Sequence, residues 1–260
     1  MDVPTKEILD QIKGVATELY KDALRPSVKP LGEVLSLFPR TLRLAFSGWE
    51  KWLINREESL RLTAEAIVEK VKKIPEEKIV EPEAYVAIPA IQQLCYCQNS
   101  ETLRDFYANL LVSSMNADKK WQVHPSFVDI VKQLNPDEAK YLKAMPTVAL
   151  KVVPLIDVDF TLDGGTGEHP IITNFTNYNL RILEYPQNIC SYIDNFVRLN
   201  IIEIPFGKVL NDPQKYVELE KHPMIQHPVG GDQTQIHYKY RHKLFKLTNY
   251  GVNLLNVVCH

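Results

Sequence analysis

The chain has 260 residues and a formal net charge of −2, from 30 lysines and arginines against 32 aspartates and glutamates. This balance excludes a strongly basic or acidic protein, so charge alone indicates neither nucleic acid nor an acidic ligand as a partner. The first residues, MDVPTKEILD, carry acids where a signal peptide would have an apolar run. The chain has no run of about 18 uncharged apolar residues, so a membrane-spanning helix is not predicted. We therefore expect a cytoplasmic protein with room for one large domain or two ordinary ones.

The N-terminal part of the chain predicts long amphipathic helices. Residues 4–24 carry apolar side chains at helical spacing, and residues 40–73 predict one long helix that ends before Pro75. These apolar stripes exceed what one compact bundle needs. They therefore favour self-association, as a homo-oligomer, through residues 4–73.

Residues 31–54 allow two interpretations. Trp49 and Trp52 have basic neighbours in this stretch, which are Arg40, Arg43 and Lys51. The pattern is typical of a helix in a membrane interface, and equally of a core helix whose aromatic rings pack inward. We favour the core helix and keep contact of Trp49 and Trp52 with a membrane surface as the alternative.

Residues 74–142 hold the clearest helix signals. Pro89 suits the first turn of a helix, and Ser100 predicts the N-terminal cap of the next helix, which has the most regular apolar stripe in the chain. Asn135, followed by a proline and by Glu138, predicts a capping box at the start of a further helix. Because capping and packing explain these residues, they predict a helical module without a site of its own.

Beyond Pro146 the pattern becomes that of a mixed unit. Helices are predicted over residues 188–199 and 249–258, IIEIP predicts a short strand, and the alternation over residues 236–241 predicts a longer one. Helix, tight turn, two strands and helix are the elements of a winged-helix module.

The predicted fold class is therefore mainly α. A helical domain is expected over residues 1–145 and a smaller, winged-helix-like α+β domain over residues 146–260. Residues 206–235 would be an insertion in the wing.

No cluster in the sequence predicts catalysis. Phosphate-binding glycine motifs and catalytic serine motifs are absent, and the four cysteines and seven histidines lack metal-ligand spacing. Asp157 and Asp159 share one face of a predicted strand, but a single carboxylate pair is a weak magnesium signal. The acids of the connector IPEEKIVEPE are interpreted as a solvated turn. We expect a protein that is not an enzyme and has no metal, no cofactor and no small-molecule substrate.

The basic run HYKYRHKLFK is the one local excess of charge in the sequence. Lys239, Arg241 and Lys243 alternate along the predicted strand, where they could contact a nucleic-acid phosphate backbone. The preceding helix, NICSYIDNFVRLN, lacks the side chains that usually read a DNA groove. A solvated strand face is therefore favoured, with nucleic-acid binding as the alternative.

Five segments between Tyr20 and Leu142 occur in the order found in a known family: YKDALRPSVKPLGEVL, IPEEKIVEP, AIPAIQQL, LRDFYANLLVSSMN and VHPSFVDIVKQLNPDEAKYL. In these segments the chain resembles the bacterial abortive-infection alpha (Abi-alpha) family. The resemblance implies a role in phage defence, and it carries over no catalytic residue.

Together these observations predict a non-enzymatic protein-interaction component of an abortive-infection system. It would self-associate or bind a protein partner. Two alternatives stay open: a membrane-acting effector that uses residues 31–54, and a nucleic-acid-binding regulator that uses the C-terminal wing.

Overall fold

The computed structural model describes residues 66–67, 69–94, 96–97, 99–146, 152–162, 167–226 and 236–259. The predicted helix over residues 4–24, most of the one over 40–73, and both Trp49 and Trp52 lie outside these ranges. The chain divides into two compact units. One comprises Met1–Gln133 with Val257–His260, and the other comprises Leu134–Asn256. The predicted domains 1–145 and 146–260 stay a prediction.

In the first unit, three helices follow a connector. They are α1 (Ala84–Leu94), α2 (Glu101–Ser114) and α3 (Ser126–Lys132), with short 3-10 turns at Glu76–Lys78 and Lys120–Gln122. The predicted cap of α2 is confirmed, because the Ser100 hydroxyl accepts a hydrogen bond from the Leu103 N–H at 3.3 Å. The predicted stripe is confirmed too, since its side chains are buried: Leu103, Phe106, Tyr107, Leu110, Leu111 and Met115.

The start of α1 differs from the prediction. Pro89 lies inside this helix and not in its first turn. A proline there removes one hydrogen bond and disfavours the helix by about 3 kcal/mol. Burial of an aliphatic side chain contributes roughly 1.5–3 kcal/mol, and α1 buries five apolar residues: Val86, Ala87, Ala90, Ile91 and Leu94. Packing therefore outweighs the local penalty.

The second unit begins with α4 (Pro136–Lys143), where the predicted capping box is confirmed. The Glu138 N–H donates to the Asn135 side chain at 2.8 Å, and the Asn135 N–H donates to the Glu138 carboxylate at 2.7 Å. The buried Asp137 carboxylate accepts hydrogen bonds from the N–H groups of Glu184 and Tyr185. Burial alone would raise the pKa of Asp137, but these donors outweigh it and lower that pKa. The carboxylate thereby fixes the loop around residue 185.

The second unit then forms a four-stranded antiparallel sheet. Its strands are β1 (Val152–Leu162), β2 (His169–Phe175), β3 (Ile202–Glu203) and β4 (Ile236–Leu247), in the order β2-β1-β4-β3. The α-helices are α5 (Ile189–Arg198), α6 (Gln214–Glu220) and α7 (Asn249–Val258), and short 3-10 turns lie at Leu180–Ile182 and Pro186–Asn188. Asn200, with φ of 56°, ends α5 in the left-handed conformation that the sequence predicts.

The predicted fold class, mainly α with a winged-helix-like domain, is wrong, because the described part is a mixed α/β fold. A wing would need a short hairpin between IIEIP and residues 236–241, yet β3 pairs with β4 at two positions, Ile202 and Glu203. The main partner of β4 is β1, from Val152 opposite Lys246 to Leu162 opposite Ile236. The long β1–β4 ladder, with β2 on its outer side, is the element that the prediction lacked.

Candidate functional site

The predicted basic residues Lys239, Arg241 and Lys243 lie on β4. In an antiparallel pair, residues directly opposite each other share a face of the sheet. Asp159 is opposite Lys239 and Asp157 is opposite Arg241. The three basic side chains and the two aspartates therefore lie on one side of the sheet. We call these five residues the charged face.

Each basic side chain of the charged face contacts a carboxylate. Lys239 Nζ lies 2.6 Å from Glu168 Oε1, and this hydrogen bond lowers the pKa of Glu168. Arg241 Nη2 lies 3.0 Å from Asp159 Oδ1, and Lys243 Nζ lies 2.6 Å from Asp157 Oδ1. The positive charge is therefore balanced within the fold, which leaves little excess for a phosphate backbone.

The two aspartates of the charged face are buried. Their exposed fractions are 7% for Asp157 and 1% for Asp159. Asp157 Oδ1 additionally accepts the N–H of Asn174 at 2.9 Å, and Asn174 has a left-handed φ of 59°. Arginine, lysine and a backbone N–H contact Oδ1 of the two aspartates, whereas Asp159 Oδ2 is buried and has no hydrogen-bond partner in the described part of the chain. Among the residues that the structure describes, no three His, Cys, Asp or Glu side chains form a metal-binding group.

The predicted membrane contacts, Trp49 and Trp52, fall outside the described ranges. Within those ranges, no helix has the length and apolar character to cross a membrane.

A different surface is built in the first unit, where the connector runs beside the end of α2. The Val80 N–H donates to the Met115 carbonyl at 2.8 Å, and the Ala117 N–H donates to the Lys78 carbonyl at 2.9 Å. Two ion pairs join the same segments: Lys78 with Asp118, and Lys120 with Glu83. Backbone bonds and ion pairs together hold the two segments in one arrangement.

Two large aromatic side chains stand exposed on this surface. Tyr85, in the first turn of α1, is 60% exposed, and Trp121 is 79% exposed. The Trp121 indole N–H donates to the Asp118 carbonyl at 2.9 Å, which orients the ring. A cavity of about 460 Å³ lies between them, with walls and floor formed by Glu83, Tyr85, Val86, Ser114, Ala117, Lys120, Trp121 and Val123. We call Glu83, Tyr85, Lys120 and Trp121 the aromatic platform.

The local sequence explains why these rings are exposed. Val86 and Ala87 turn into the core of the first unit, so the preceding Tyr85 lies on the outer side of α1. Trp121 lies in a short 3-10 turn between the polar residues Lys120 and Gln122, so it is not part of an apolar helix face that packs into the core. The platform offers aromatic faces and one carboxylate–amine pair beside a cavity that Val86 and Val123 also line. These groups are suited to binding a side chain of another molecule.

The sequence interpretation missed this surface. The acids of the connector, taken alone, predict a solvated turn. The signal was a tryptophan in the polar run DKKWQ, where no core position is available. The connector and this run meet through contacts between residues about forty positions apart, such as Lys78 with Asp118.

A family model described as abortive infection alpha matches residues 55–258, which is most of the chain. This match confirms the family resemblance and covers residues of both units. No curated protein and no solved structure matches the chain at a significant level.

Proposed function

Because the chain belongs to the abortive infection alpha family, we propose that it is a non-enzymatic protein-interaction component of a bacterial phage-defence system. We further propose that it binds its protein partner through the aromatic platform. The family supports the defence role, and the platform supports the interaction role.

The observation that carries the proposal is the exposure of Trp121 above a cavity. Tryptophan and tyrosine dominate the energetics of protein interfaces, where they fill pockets near the centre of the contact. Covering an indole can remove roughly 150–250 Å² from water, which corresponds to about 4–6 kcal/mol before the costs of association. Trp121 is already oriented by its bond to Asp118, so little conformational entropy would be lost on binding.

Phe206 and Tyr96, which are also exposed, lack this combination. Phe206 is fully exposed, but it lies in a turn beside Gly207, which has a φ of 68°. Tyr96 is 66% exposed in the same unit as the platform and does not line its cavity. Tyr96 is therefore a matched control for the aromatic side chains of the platform.

The proposal is tested by phage plating on bacteria that carry the complete defence locus. We expect the double variant Tyr85→Ala/Trp121→Ala to lose protection, because it removes both aromatic walls. Tyr96→Ala should protect as well as the wild type. Thermal unfolding of each purified variant shows whether the fold is kept. Full protection by the folded double variant would contradict the proposal.

Self-association through residues 4–73 is a further part of the proposal, and it concerns residues outside the described ranges. Sedimentation of the full chain tests it directly. A strict monomer well above micromolar concentration would remove self-association while leaving the platform proposal in place.

The two alternative functions gain no support from the described residues. The charged face has its cations paired with carboxylates. The membrane alternative rests on residues 31–54, which the structure does not describe.

A further inference from the structure

The two segments that carry the platform have an acidic balance. Residues 76–83 and 116–123 together hold five acids and three bases, which are Glu76, Glu77, Glu81, Glu83 and Asp118 against Lys78, Lys119 and Lys120. Two of these bases are held by acids of the same segments, Lys78 by Asp118 and Lys120 by Glu83. Glu76 and Glu77 lie exposed in the first 3-10 turn. A basic partner is therefore the one that this charge distribution attracts.

The cavity also contains groups that bind a cation at short range. The exposed face of a tryptophan ring attracts a guanidinium or ammonium group, and an arginine can stack flat on it. Glu83 Oε1 contacts Lys120 at 2.9 Å, but a carboxylate has two oxygens and about four acceptor positions. Trp121 and Glu83 line the same cavity. One basic side chain can therefore stack on the ring and donate to the carboxylate.

An anionic or purely apolar ligand fits less well. The Lys120 ammonium already contacts Glu83 and donates to the Glu81 carbonyl at 3.1 Å, so it has little capacity left for an anion. A purely apolar side chain would cover the Glu83–Lys120 pair without replacing the water around it, which is unfavourable. A side chain with an apolar stem and a cationic end avoids both costs.

We infer that the aromatic platform accepts an arginine or lysine side chain from a basic segment of the protein partner. This inference rests on the proposed function and adds the chemistry of the partner. In this arrangement, the aromatic rings contact the apolar stem and the charged end of that side chain. Glu83 accepts hydrogen bonds from its N–H groups.

The test uses short synthetic peptides that share apolar residues and differ in carrying arginine or glutamate. The full chain with Trp49→Phe and Trp52→Phe leaves Trp121 as its one indole, so its fluorescence reports binding. We expect the arginine peptide to give a saturable change that weakens as salt is raised, and the glutamate peptide to give none. Glu83→Gln should weaken the arginine peptide about fivefold, because one charge-assisted contact is lost at a partly exposed site. Glu101→Gln, an exposed acid in the first turn of α2, should leave the affinity unchanged.

Several results would overturn the inference. The first is an equal fluorescence response to the arginine and glutamate peptides, and the second is no response to either peptide. The third is an unchanged affinity of the Glu83→Gln variant for the arginine peptide. A further contradicting result is a tenfold gain in affinity for the arginine peptide after Arg40→Glu/Arg43→Glu. It would mean that a basic segment of the chain itself occupies the platform, and not a segment of a partner. If the peptides fail but Tyr85→Ala/Trp121→Ala still abolishes phage protection, the proposed function stands and only the basic partner is excluded.

Discussion

The charged face and the aromatic platform look alike in one respect and differ in another. Both combine ion pairs between segments distant in sequence. On the charged face, the cations contact carboxylates of the same sheet or beside it, and Asp157 and Asp159 are buried. On the aromatic platform, the ion pairs instead hold a surface from which Tyr85 and Trp121 project. A run of basic residues therefore indicates a binding surface only if its side chains are not already paired with carboxylates of the fold.

The comparison predicts that the charged face serves the fold. Asp157→Ala should lower the free energy of unfolding by about 2–3 kcal/mol, because it removes a buried acceptor, leaves the Asn174 N–H without its partner and takes from Lys243 its carboxylate. Urea denaturation measures this change. Glu168→Ala, which removes an exposed carboxylate, is the control and should change it far less. An equally small effect for Asp157→Ala would show that the charged face is dispensable for stability.

A weaker coupling is expected between Arg241 and Asp159. Their contact is 3.0 Å, but the arginine side chain is half exposed, so solvent screens the pair. A double-mutant cycle with Arg241→Met and Asp159→Asn should give an interaction energy of about 1 kcal/mol. A value indistinguishable from zero would mean that the two charges are held near each other by the sheet without stabilising it.

The aromatic platform should behave in the opposite way. Trp121→Ala should change the free energy of unfolding by less than about 0.5 kcal/mol, because an exposed ring contributes little to the core. Phe106→Ala is the matched aromatic control, and removal of its fully buried ring should lower stability by about 3–5 kcal/mol. A loss of several kcal/mol in Trp121→Ala would make that tryptophan a structural residue and weaken the case for an interface.

The smallest expected effect concerns Glu168 at the edge of the charged face. The hydrogen bond from Lys239 lowers its pKa in the folded protein. Its contribution to stability is therefore present above the unfolded-state pKa of about 4.3, and it is lost as the pH falls through the lower folded-state value. A carboxyl NMR titration should show the lowered pKa, and Lys239→Met should return it toward the ordinary range. An unchanged pKa in that variant would assign the shift to another cause.

The sequence predicted local features better than distant ones. The Ser100 cap, the Asn135–Glu138 capping box and the left-handed Asn200 depend on neighbouring residues, and all three are confirmed. The sheet was missed because its central ladder joins residues such as Val152 and Lys246, which are far apart in the chain. Strand β2 gives a weak signal as well, since it contains Pro170 and the left-handed Asn174.

For the candidate site, too, local features were predicted better than contacts between distant residues. The alternation of Lys239, Arg241 and Lys243 on one face was predicted from the strand period, but their acidic partners on β1 and at Glu168 depend on the sheet. The aromatic platform was missed because neither the acidic connector nor the run DKKWQ forms a site alone. The backbone bonds around Met115 and Ala117 bring the two together.

We propose that the aromatic platform, and not the charged face, contacts the protein partner. Phage plating with two folded variants, compared in one experiment, distinguishes the two surfaces. Tyr85→Ala/Trp121→Ala removes the aromatic rings of the platform, and Lys239→Gln/Glu168→Gln neutralises Lys239 of the charged face together with its exposed partner Glu168. We expect loss of protection in the first variant and full protection in the second. Protection that survives in the first variant and disappears in the second would contradict the proposal.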